Sequence, residues 1–562
     1  MTLAIFKDEI MDKRWHDLYH ENTPKEINPL PFNSLIDVLE ESFKRYSKNK
    51  FASSFNEKMT YEDLEIQSRK FASFLQNNLK LSKGDRIGIM MPNIFQYPIC
   101  LFGALRAGII VVNISLLSRA RDLKRVLLET EAKVLVALET FSNVIEKCYE
   151  GTSLEHILFA SFGDCLSFPH SLFINFSHHK SKQSSLAYKI PFATSLKESL
   201  IEADKDLYKR PEMIQEDTAF LQYTAGTTGN PKPVELAHSN CLSSLAQWQA
   251  WFEPILEKEK EVNLVALPLH HIFSMMNLLF FTHYGAFNVF ITFPRRIENL
   301  VKSFKKWKIS VFFSINPLFH SILEEKISKK IDFSSLKLTL SGGMALEKSI
   351  FENWKELSGC VIIEAYSMTE TTSLGAINPL KEGEFRGQVG IPLSSTLIEI
   401  KDEEGQEVPA GSFGEVAIKG PQVMKGYWQQ SKETASSFTK DGFFLTGDFG
   451  VMDKKGLVKI VDRKKDVILV SGLYIYPKEI EDIIHNHPKV QEAVAVGIKD
   501  SKKGQAVKVF AVKKDFSLTE DELRLYCEAH LKGLKAPEYI EFIKEIPKTN
   551  IGKVLRKNLR DL

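Results

Sequence analysis

Short apolar runs alternate with helical stretches along most of this chain, and this alternation constrains its fold more than any other feature of the sequence. Four of the apolar runs lie at residues 86–91, 133–138, 262–267 and 361–363, and residues 34–46 are typical of the helical stretches. Strands that alternate with helices form parallel sheets with helices on their faces. The sequence therefore predicts an α/β fold, with a large N-terminal domain of doubly wound α/β subdomains.

The pattern changes after about residue 395, where short strands and glycine-rich turns predict a small β-rich subdomain over residues 395–462. The C-terminal part of the chain combines a helix over residues 477–485, strands over residues 493–498 and 506–512, and a second helix over residues 520–531. Elements of this size and order predict a compact α+β domain.

A charged turn, Asp462-Arg463-Lys464-Lys465-Asp466, stands just before the predicted C-terminal domain. Exposed polar linkers commonly mark domain boundaries. We therefore expect an N-terminal domain over residues 1–462, a hinge over residues 463–466 and a small mobile C-terminal domain over residues 467–562.

The charge balance and the cysteines exclude several classes of protein. The 73 Lys and Arg residues are nearly matched by 71 Asp and Glu residues, so no nucleic acid is predicted as a partner. The six cysteines lack the spacing of a zinc site or of a disulfide framework. The N-terminus is too polar and charged for a secretory signal. We therefore expect a cytoplasmic protein in a reducing compartment.

A stretch without charged residues extends from Leu264 to Phe293 and raises the question of a membrane span. Polar groups inside this stretch would be costly in lipid, and we therefore predict a buried core segment around a ligand channel. The stretch contains the polar residues His270, His271, Asn277, His283 and Asn288, and it also contains Pro268.

The segment from Thr224 to Lys232 reads Thr-Ala-Gly-Thr-Thr-Gly-Asn-Pro-Lys and follows an apolar run. Its glycines let backbone N–H groups approach phosphate oxygens, its hydroxyls donate hydrogen bonds, and Lys232 adds a positive charge. No Gly-Lys pair followed by Ser or Thr is present, which excludes a Walker A loop. Such a loop alone is more often a polar surface turn, and other motifs decide between the two interpretations.

Further motifs follow this loop in a fixed order. They are Leu267-Pro-Leu-His-His271, Ser341-Gly-Gly-Met344, Glu364-Ala-Tyr-Ser-Met-Thr-Glu370, Leu445-Thr-Gly-Asp448, Val461-Asp-Arg-Lys-Lys-Asp466 and Pro547-Lys-Thr-Asn-Ile-Gly-Lys553. The ordered set resembles the adenylate-forming enzymes, and specifically the long-chain fatty-acid:CoA ligases. The similarity extends from about residue 30 to the C-terminus.

The resemblance implies an enzyme that uses ATP, Mg²⁺ and coenzyme A to convert a fatty acid first to acyl-adenylate and then to acyl-CoA. It implies that Lys553 is the main catalytic residue, assisted by Glu370, Thr224 and Lys232, and that Thr224 and Glu370 hold the metal. A hard cation prefers such oxygen ligands. The implied ATP and AMP contacts are Thr224, Ala225, Gly226, Thr227, Thr228, Gly342, Gly343, Glu364, Ala365, Tyr366, Thr369, Asp448 and Arg463.

The same resemblance assigns roles to the hinge and to the acyl pocket. The C-terminal domain is expected to rotate about Lys465, which withdraws Lys553 and lets Ser471 and Gly472 line a tunnel for the pantetheine thiol. His271 and Met275 are implied in the acyl pocket. Some long-chain ligases carry a gating tryptophan at the Met275 position, so the motif leaves the length of the acyl chain open.

Each of these residues also has a purely structural interpretation. Glu370 would be a solvated loop carboxylate, and Asp448 would belong to an ordinary turn. Arg463, together with the neighbouring aspartates, would form a surface ion cluster of little value for stability. Lys553 would be one more cation of a basic tail. In the same way, Tyr366 and His271 would be core residues, and Lys465 and Gly472 would belong to a linker and a tight turn.

Three positions depart from the commonest family pattern, namely Ala225, Ser367 and Pro233. Pro233 lacks an N–H group and restricts Lys232, so the end of the loop is expected to be stiffer than usual. Two alternatives stay open. One is an acyl-AMP ligase that loads a carrier protein, and the other, motivated by these three departures, is a catalytically silent acyl-nucleotide binding protein. Retention of Lys553, Glu370, Asp448 and Arg463 argues against the silent protein.

Two further partners stay open at this point. Aromatic residues alternate with histidines and lysines between Phe168 and Phe192, which would suit a peripheral contact with the inner face of a membrane as well as a solvated loop. A homodimer is equally compatible with the sequence.

Overall fold

The computed structural model describes most of the chain, and the described residues are 13–178, 190–224, 231–380, 383–471, 473–500, 503–531, 533–548 and 554–560. They divide into two compact units. Unit 1 comprises Met1–Tyr223, Pro233–Leu397 and Gly420–Ala435. Unit 2 comprises Thr224–Lys232, Ile398–Lys419 and Ser436–Leu562.

Unit 1 contains two large sheets whose central strands are parallel and buried. Eight described strands form the first sheet, and two antiparallel strands close one of its edges. In spatial order they are Gly426–Tyr427, Pro233–Ala237, Thr218–Tyr223, Ile110–Asn113, Arg86–Met90, Val134–Leu138, His156–Ala160 and Ala193–Ser195.

The second sheet of unit 1 has nine strands among the described residues, and both of its edges are antiparallel. In spatial order they are Ile391–Pro392, Ser373–Ile377, Ile362–Met368, Leu338–Gly342, Val311–Ser314, Val262–Val265, Phe287–Phe290, Lys50–Ser54 and Glu57–Thr60.

Helices cover the faces of both sheets, and their apolar residues build the core. Local sequence sets where two of them begin: the Ser34 backbone N–H donates to the Asp37 carboxylate, and Thr60 and Asp63 form a similar capping box. The helices of unit 1 are Leu35–Tyr46, Tyr61–Ser73, Gln96–Arg106, Ala120–Thr130, Ser142–Glu146, His170–His178, Leu196–Glu202, His238–Phe252, Ile272–His283, Ile297–Lys306, Asn316–Glu324 and Lys348–Ser358. A short helix, Ser431–Ser436, spans the last residues assigned to this unit.

Unit 2 contains two smaller sheets. The first is antiparallel, with the strands Leu397–Lys401, Phe413–Lys419, Phe444–Met452 and Val458–Arg463 in spatial order. The second is built around a long antiparallel pair and has the strands Leu473–Ile475, Ile468–Val470, Gly504–Lys513, Val490–Asp500 and Tyr539–Phe542. The helices of this unit are Pro477–His485, Glu520–His530 and Arg556–Arg560.

The second sheet of unit 2 is covered on both faces, which explains why its strands are apolar on successive residues. Helices Pro477–His485 and Glu520–His530 pack on one face. Leu559 of the last helix packs on the other face, against Val494 and Phe510.

The predicted α/β fold is confirmed, including the α+β elements near the C-terminus. The predicted strand at residues 361–363 is longer than expected, because Ile362–Met368 continues through Glu364 and Tyr366 and pairs with Ser373–Ile377. Residues 420–435 cluster with unit 1, although they lie inside the stretch predicted as β-rich. The hinge at residues 463–466 and the domain boundaries beside it stay predictions.

The charge-free stretch from Leu264 to Phe293 folds as a buried strand, a helix and a second strand inside unit 1. Across the ranges that the structure describes, no helix is long and apolar enough to cross a membrane.

Candidate active site

The phosphate loop connects two antiparallel strands of unit 1, Thr218–Tyr223 and Pro233–Ala237. Two hydrogen bonds close its base: the Thr224 N–H donates to the Lys232 carbonyl at 3.0 Å, and the Lys232 N–H donates to the Thr224 hydroxyl at 3.0 Å. The predicted contacts Ala225, Gly226, Thr227 and Thr228 lie outside the described residues.

Pro233 is compatible with this loop because it is the first residue of its strand. A proline there removes no hydrogen bond that a central strand would need. Its carbonyl accepts the N–H of Trp428 at 2.8 Å, and it lies opposite Tyr223. Pro233 therefore takes part in the sheet through its carbonyl.

Glu364 and Ala365 lie on a central strand of the second sheet, next to Ser341 and Gly342 of the neighbouring strand. Glu364 is buried, and its carboxyl accepts the Leu346 N–H at 2.8 Å. Burial raises the pKa of the Glu364 carboxyl to about 7. A carboxyl that is partly protonated near neutral pH can donate a hydrogen bond as well as accept one.

Gly342 and Gly343 are both required, but for different reasons. A Cβ on Gly342 would lie 3.2 Å from the ring of Phe273 and 3.4 Å from Cβ of Ser367, so close packing excludes a side chain. Gly343 has open space around it but a φ of +83°, which favours glycine. Of the two glycines, only Gly342 has a crowded neighbourhood.

Glu370 lies in a single helical turn, Thr369–Thr371, between strands Ile362–Met368 and Ser373–Ile377. The Tyr427 hydroxyl donates to the Glu370 carboxylate at 3.1 Å, and the Met424 N–H donates to the Glu370 carbonyl at 2.8 Å. Glu370 is half-buried. The Tyr427 hydroxyl thus contacts the Glu370 carboxylate, and the Met424 N–H fixes the backbone that carries it.

The two residues that end this turn have strained backbones. Thr372 has a φ of +48° and Ser373 a φ of +94°, although neither is glycine. Buried hydrogen bonds hold them there, because the Thr372 hydroxyl donates to the Gln422 carbonyl and the Ser244 hydroxyl donates to the Thr372 carbonyl. Strain that the surrounding structure maintains is common at functional sites.

A buried amide network fixes the loop that carries His270 and His271. Asn113 donates to the Gln222 side-chain oxygen at 3.0 Å, and the Gln222 amide donates to the His270 carbonyl at 2.5 Å. The Tyr97 hydroxyl lies 2.8 Å from both the Asn113 oxygen and the Leu269 carbonyl. These network residues were not predicted from the sequence, although polar side chains in apolar strands are a usable signal.

The same network reaches the two predicted acyl-pocket residues. The Asn113 amide nitrogen is 3.1 Å from the sulfur of Met275, which is fully buried. His271 precedes the first residue of helix Ile272–His283, and its carbonyl accepts the Met275 N–H at 2.8 Å. Burial lowers the pKa of the adjacent His270 well below its usual range, so His270 is neutral.

In unit 2, Asp448 and Arg463 lie opposite each other on neighbouring strands. The guanidinium Nε is 3.1 Å from a carboxylate oxygen of Asp448, which is buried. The two predicted ribose contacts therefore form one ion pair, and Arg463 is part of a strand instead of a surface cluster.

An ion-pair network in unit 2 surrounds the predicted hinge. Arg560 donates to the Asp466 carboxylate at 2.6 Å and to the Lys465 carbonyl at 3.1 Å. Arg556 makes a two-pronged contact with Glu481, at 2.5 and 3.1 Å, and its Nε is 3.6 Å from Asp466. Because Arg556 and Arg560 lie on the last described helix, the network ties that helix to the hinge.

The aspartate at the start of the hinge titrates in an unusual range. Burial raises the pKa of Asp462 to about 6, although the nearby Arg556 charge and the Lys478 N–H oppose the shift. Ser471 has a φ of +52° and is exposed. The predicted residues Gly472 and Lys553 lie outside the described residues.

Comparison with known proteins shows to which family this chain belongs. Residues 39–428 match the family described as AMP-binding enzyme, and residues 479–553 match the AMP-binding enzyme C-terminal domain. The chain belongs to the AMP-binding enzyme family.

Named relatives of this AMP-binding enzyme are similar over nearly their full length. A long-chain-fatty-acid–CoA ligase of Escherichia coli is 43% identical over 552 residues, which is 98% of each chain. The ligase of that name from Haemophilus influenzae is 41% identical over 554 residues, again 98% of each chain. Among solved structures, an anthranilate CoA ligase with anthranoyl-AMP has a TM-score of 0.80 at 24% identity, covering 95% of this chain and 98% of that one.

The described donors of this AMP-binding enzyme suit a magnesium nucleotide. Among the described residues, no three or more His, Cys, Asp or Glu side chains lie together in a group that would hold a metal by itself. Mg²⁺ usually takes one or two protein oxygens and completes its shell with phosphates and water. The Glu370 carboxylate and the Thr224 hydroxyl are oxygen donors of that kind.

Proposed function

We infer that this chain is an ATP-dependent fatty-acid:CoA ligase. The fatty-acid carboxylate attacks the α-phosphorus of ATP, which gives acyl-adenylate and pyrophosphate. The thiol of coenzyme A then attacks the acyl carbon, which gives the thioester and AMP. The observation that carries this proposal is 43% identity to a long-chain-fatty-acid–CoA ligase over 98% of both chains.

The arrangement of unit 1 supports the first half-reaction. Negative charge must be neutralised at the phosphates while pyrophosphate leaves, and preorganised donors serve this purpose best. We assign Glu370 and Thr224 to Mg²⁺, which would supply Lewis-acid stabilisation of the phosphate charge.

Nucleotide recognition in this proposal uses Glu364, Ala365 and Tyr366 for the adenine, and Asp448 and Arg463 for the ribose. A carboxylate is an acceptor-only group and can receive both ribose hydroxyls.

Lys553 is proposed to stabilise the transition state of adenylation, and rotation about Lys465 is proposed to withdraw it before thioester formation. Hinges are a few residues that absorb a large backbone change. Lys553→Ala should abolish adenylation and largely spare thioester formation from preformed acyl-adenylate. Equal loss of both steps would refute this division of roles.

The deciding experiment measures pyrophosphate release and coenzyme A consumption in the same reaction, with fatty acids of increasing chain length. A ligase releases pyrophosphate and consumes coenzyme A in equal amounts. Pyrophosphate release without consumption of coenzyme A would favour an enzyme that loads a carrier protein. Nucleotide binding without either product would indicate a silent binding protein.

A further inference from the structure

Two side chains of unit 1 hold the loop over residues 343–347, and only Glu364 of the two belongs to a motif of the sequence. The Asn316 amide nitrogen donates to the Ala345 carbonyl at 2.7 Å, and the Glu364 carboxyl accepts the Leu346 N–H at 2.8 Å. This carbonyl and this N–H belong to one peptide group, and they point in opposite directions because the group is planar and trans. We call these two contacts the peptide clamp.

The two members of the peptide clamp come from opposite sides of the loop. The loop leaves the end of strand Leu338–Gly342, which lies between strands Val311–Ser314 and Ile362–Met368. Asn316 follows the first of these neighbours by two residues, and Glu364 lies within the second. Ligands of open α/β sheets commonly bind beyond the carboxyl ends of parallel strands. The clamp therefore fixes the loop at the edge of the sheet where a nucleotide would bind.

The clamp also sets which side of the loop faces outward. Leu346 is buried, whereas Gly343 and Ala345 are exposed. A peptide group that is hydrogen-bonded at both ends can rotate only if both bonds break. The exposed backbone around Gly343, with its φ of +83°, is thus held in one conformation.

Asn316 is an unfavourable residue for the fold alone. It is buried, and its Oδ1 has no hydrogen-bond partner among the described residues. The amide nitrogen faces the loop because the Ala345 carbonyl and the Glu347 carboxylate, at 3.4 Å, are both acceptors. An unsatisfied buried oxygen costs at least as much as one hydrogen bond contributes. An apolar side chain of this size would serve the core equally well, so the N–H donated to the loop is what distinguishes asparagine here.

We propose that Asn316 is a positioning residue for nucleotide binding, which acts through the peptide group between Ala345 and Leu346. It holds the loop in the conformation that receives the adenine, and it acts on the nucleotide only through this loop. The inference deepens the proposed function and rests on it, because that function assigns the loop to ATP.

The acyl pocket explains Asn316 less well. Phe312 packs on helix Asn316–Glu324, whereas Phe313, the next residue of the strand, packs on helix Ile272–His283. Successive side chains of a strand point to opposite faces of the sheet. The helix that begins with Asn316 and the helix that carries the predicted acyl-pocket residue Met275 therefore lie on opposite faces.

The test is the ATP dependence of the full-length protein with Asn316→Leu, a variant of similar size that lacks the N–H donor. KM for ATP, measured by pyrophosphate release, should rise about three- to tenfold, the equivalent of one hydrogen bond, while kcat and KM for the fatty acid stay unchanged. Asn316→Asp keeps the shape, but its ionised carboxylate only accepts, so it should weaken ATP binding at least as much.

Stability measurements exclude a merely structural effect. Thermal unfolding of Asn316→Leu should stay close to that of the wild type, because the variant also removes the unsatisfied oxygen. Asn353→Leu, at an exposed position of helix Lys348–Ser358, is the matched control and should keep the wild-type KM for ATP.

Calorimetric titration with ATP separates this proposal from the function itself, because it reports nucleotide binding with or without turnover. The same loss of affinity is expected there. If Asn316→Leu binds ATP as tightly as the wild type, or if KM for ATP and KM for the fatty acid rise together, the proposal is wrong. A selective rise in KM for the fatty acid would place Asn316 at the acyl pocket and would also overturn it. A wild type that binds ATP but releases no pyrophosphate with any fatty acid would instead contradict the proposed function.

Discussion

The two units hold their candidate functional residues by different physical means. In unit 1, neutral hydrogen bonds between buried amides, hydroxyls and backbone groups position His271, Met275 and Glu370. In unit 2, ion pairs hold Asp448 and Asp466, and Arg560 of the same network donates to the Lys465 carbonyl.

The difference has consequences for how each unit responds to its surroundings. Neutral hydrogen bonds are insensitive to salt, and they fix one geometry as long as every buried polar group is satisfied. Buried charges are costly unless they are paired, so the loss of one member of an ion-pair network strongly destabilises the protein. Neutral hydrogen bonds therefore suit a pocket of fixed geometry. An ion-pair network would suit a hinge whose charged residues change partners.

The largest effect should come from breaking the network of unit 2 at its centre. Arg556→Met leaves the buried carboxylates of Glu481 and Asp466 without their shared partner. Removal of one partner of a buried pair costs about 3 to 5 kcal/mol. We therefore expect a loss of that size in the free energy of unfolding of unit 2, measured by denaturant titration with a probe in that unit.

The exposed neighbour Lys557 provides the control for Arg556, because Lys557→Met removes the same charge from the surface. A double variant, Arg556→Met/Glu481→Gln, should lose less than the sum of the single variants, since it also removes one of the stranded charges. If Arg556→Met costs no more than Lys557→Met, ion pairs do not hold the hinge of unit 2.

The buried carboxyl of Glu364 in unit 1 sharpens the comparison through pH. In the folded protein, burial raises the pKa of Glu364 from 4.5 to about 7. Its contribution to stability is therefore fully present below about pH 4.5 and is lost as the pH rises through about 7. Glu364→Gln cannot ionise, so at pH 8 it should be more stable than the wild type by about 2 to 3 kcal/mol.

Thermal unfolding at pH 5 and pH 8 tests this prediction, with about equal stability of the two proteins expected at the lower pH. Glu356→Gln, on the exposed side of helix Lys348–Ser358, should behave like the wild type at both pH values. A Glu364→Gln variant that is destabilised at pH 8 would show that contacts stabilise the ionised carboxylate. Unit 1 would then also depend on a buried charge, and the contrast between neutral hydrogen bonds in unit 1 and ion pairs in unit 2 would weaken.

A smaller effect is expected when the amide network of unit 1 is broken. Asn113→Leu leaves the buried side-chain oxygen of Gln222 without its amide donor and removes one of the two acceptors of the Tyr97 hydroxyl, which costs about 1 to 3 kcal/mol. The loss should be the same at low and high salt, because no charge is involved. We also expect kcat/KM for the fatty acid to fall while KM for ATP is unchanged. The exposed Asn78→Leu is the control, and a salt-dependent loss at Asn113 would contradict the neutral description.

The sequence predicts those parts of the fold that local patterns encode. Apolar runs marked the buried parallel strands, and the capping pairs at Ser34 and Thr60 explain where two helices begin. The end of strand Ile362–Met368 was not predictable in this way. Glu364 and Ser367 interrupt its apolar pattern, and its hydrogen bonds depend on pairing with Ser373–Ile377, which only the folded chain supplies.

The candidate site has the same limit: local motifs point to individual residues, and their partners depend on the folded chain. Ordered motifs identified Glu370, Asp448 and Arg463, since each stands in a characteristic segment. The partner of Glu370 was not identified, because Tyr427 is 57 residues away in the sequence. The contact between Arg556 and Glu481 beside the predicted hinge was also missed, because it joins residues 75 positions apart. The polar Asn113 in an otherwise apolar strand was a visible signal, but its partners come from other elements.

The smallest effect concerns the strained turn that follows Glu370. Ser373→Gly should stabilise the protein by about 1 kcal/mol, because glycine adopts a φ of +94° without strain. The substitution also removes a buried hydroxyl for which no described residue is an acceptor. If the strain helps to hold Glu370, the variant should require more Mg²⁺ for half-maximal adenylation although it melts at a higher temperature.

Ser303→Gly, an exposed serine within helix Ile297–Lys306, should instead destabilise the protein and leave the Mg²⁺ requirement unchanged. A stabilised Ser373→Gly variant with the wild-type Mg²⁺ requirement would show that the hydrogen bonds of Tyr427 and Met424 position Glu370 without help from the strained backbone.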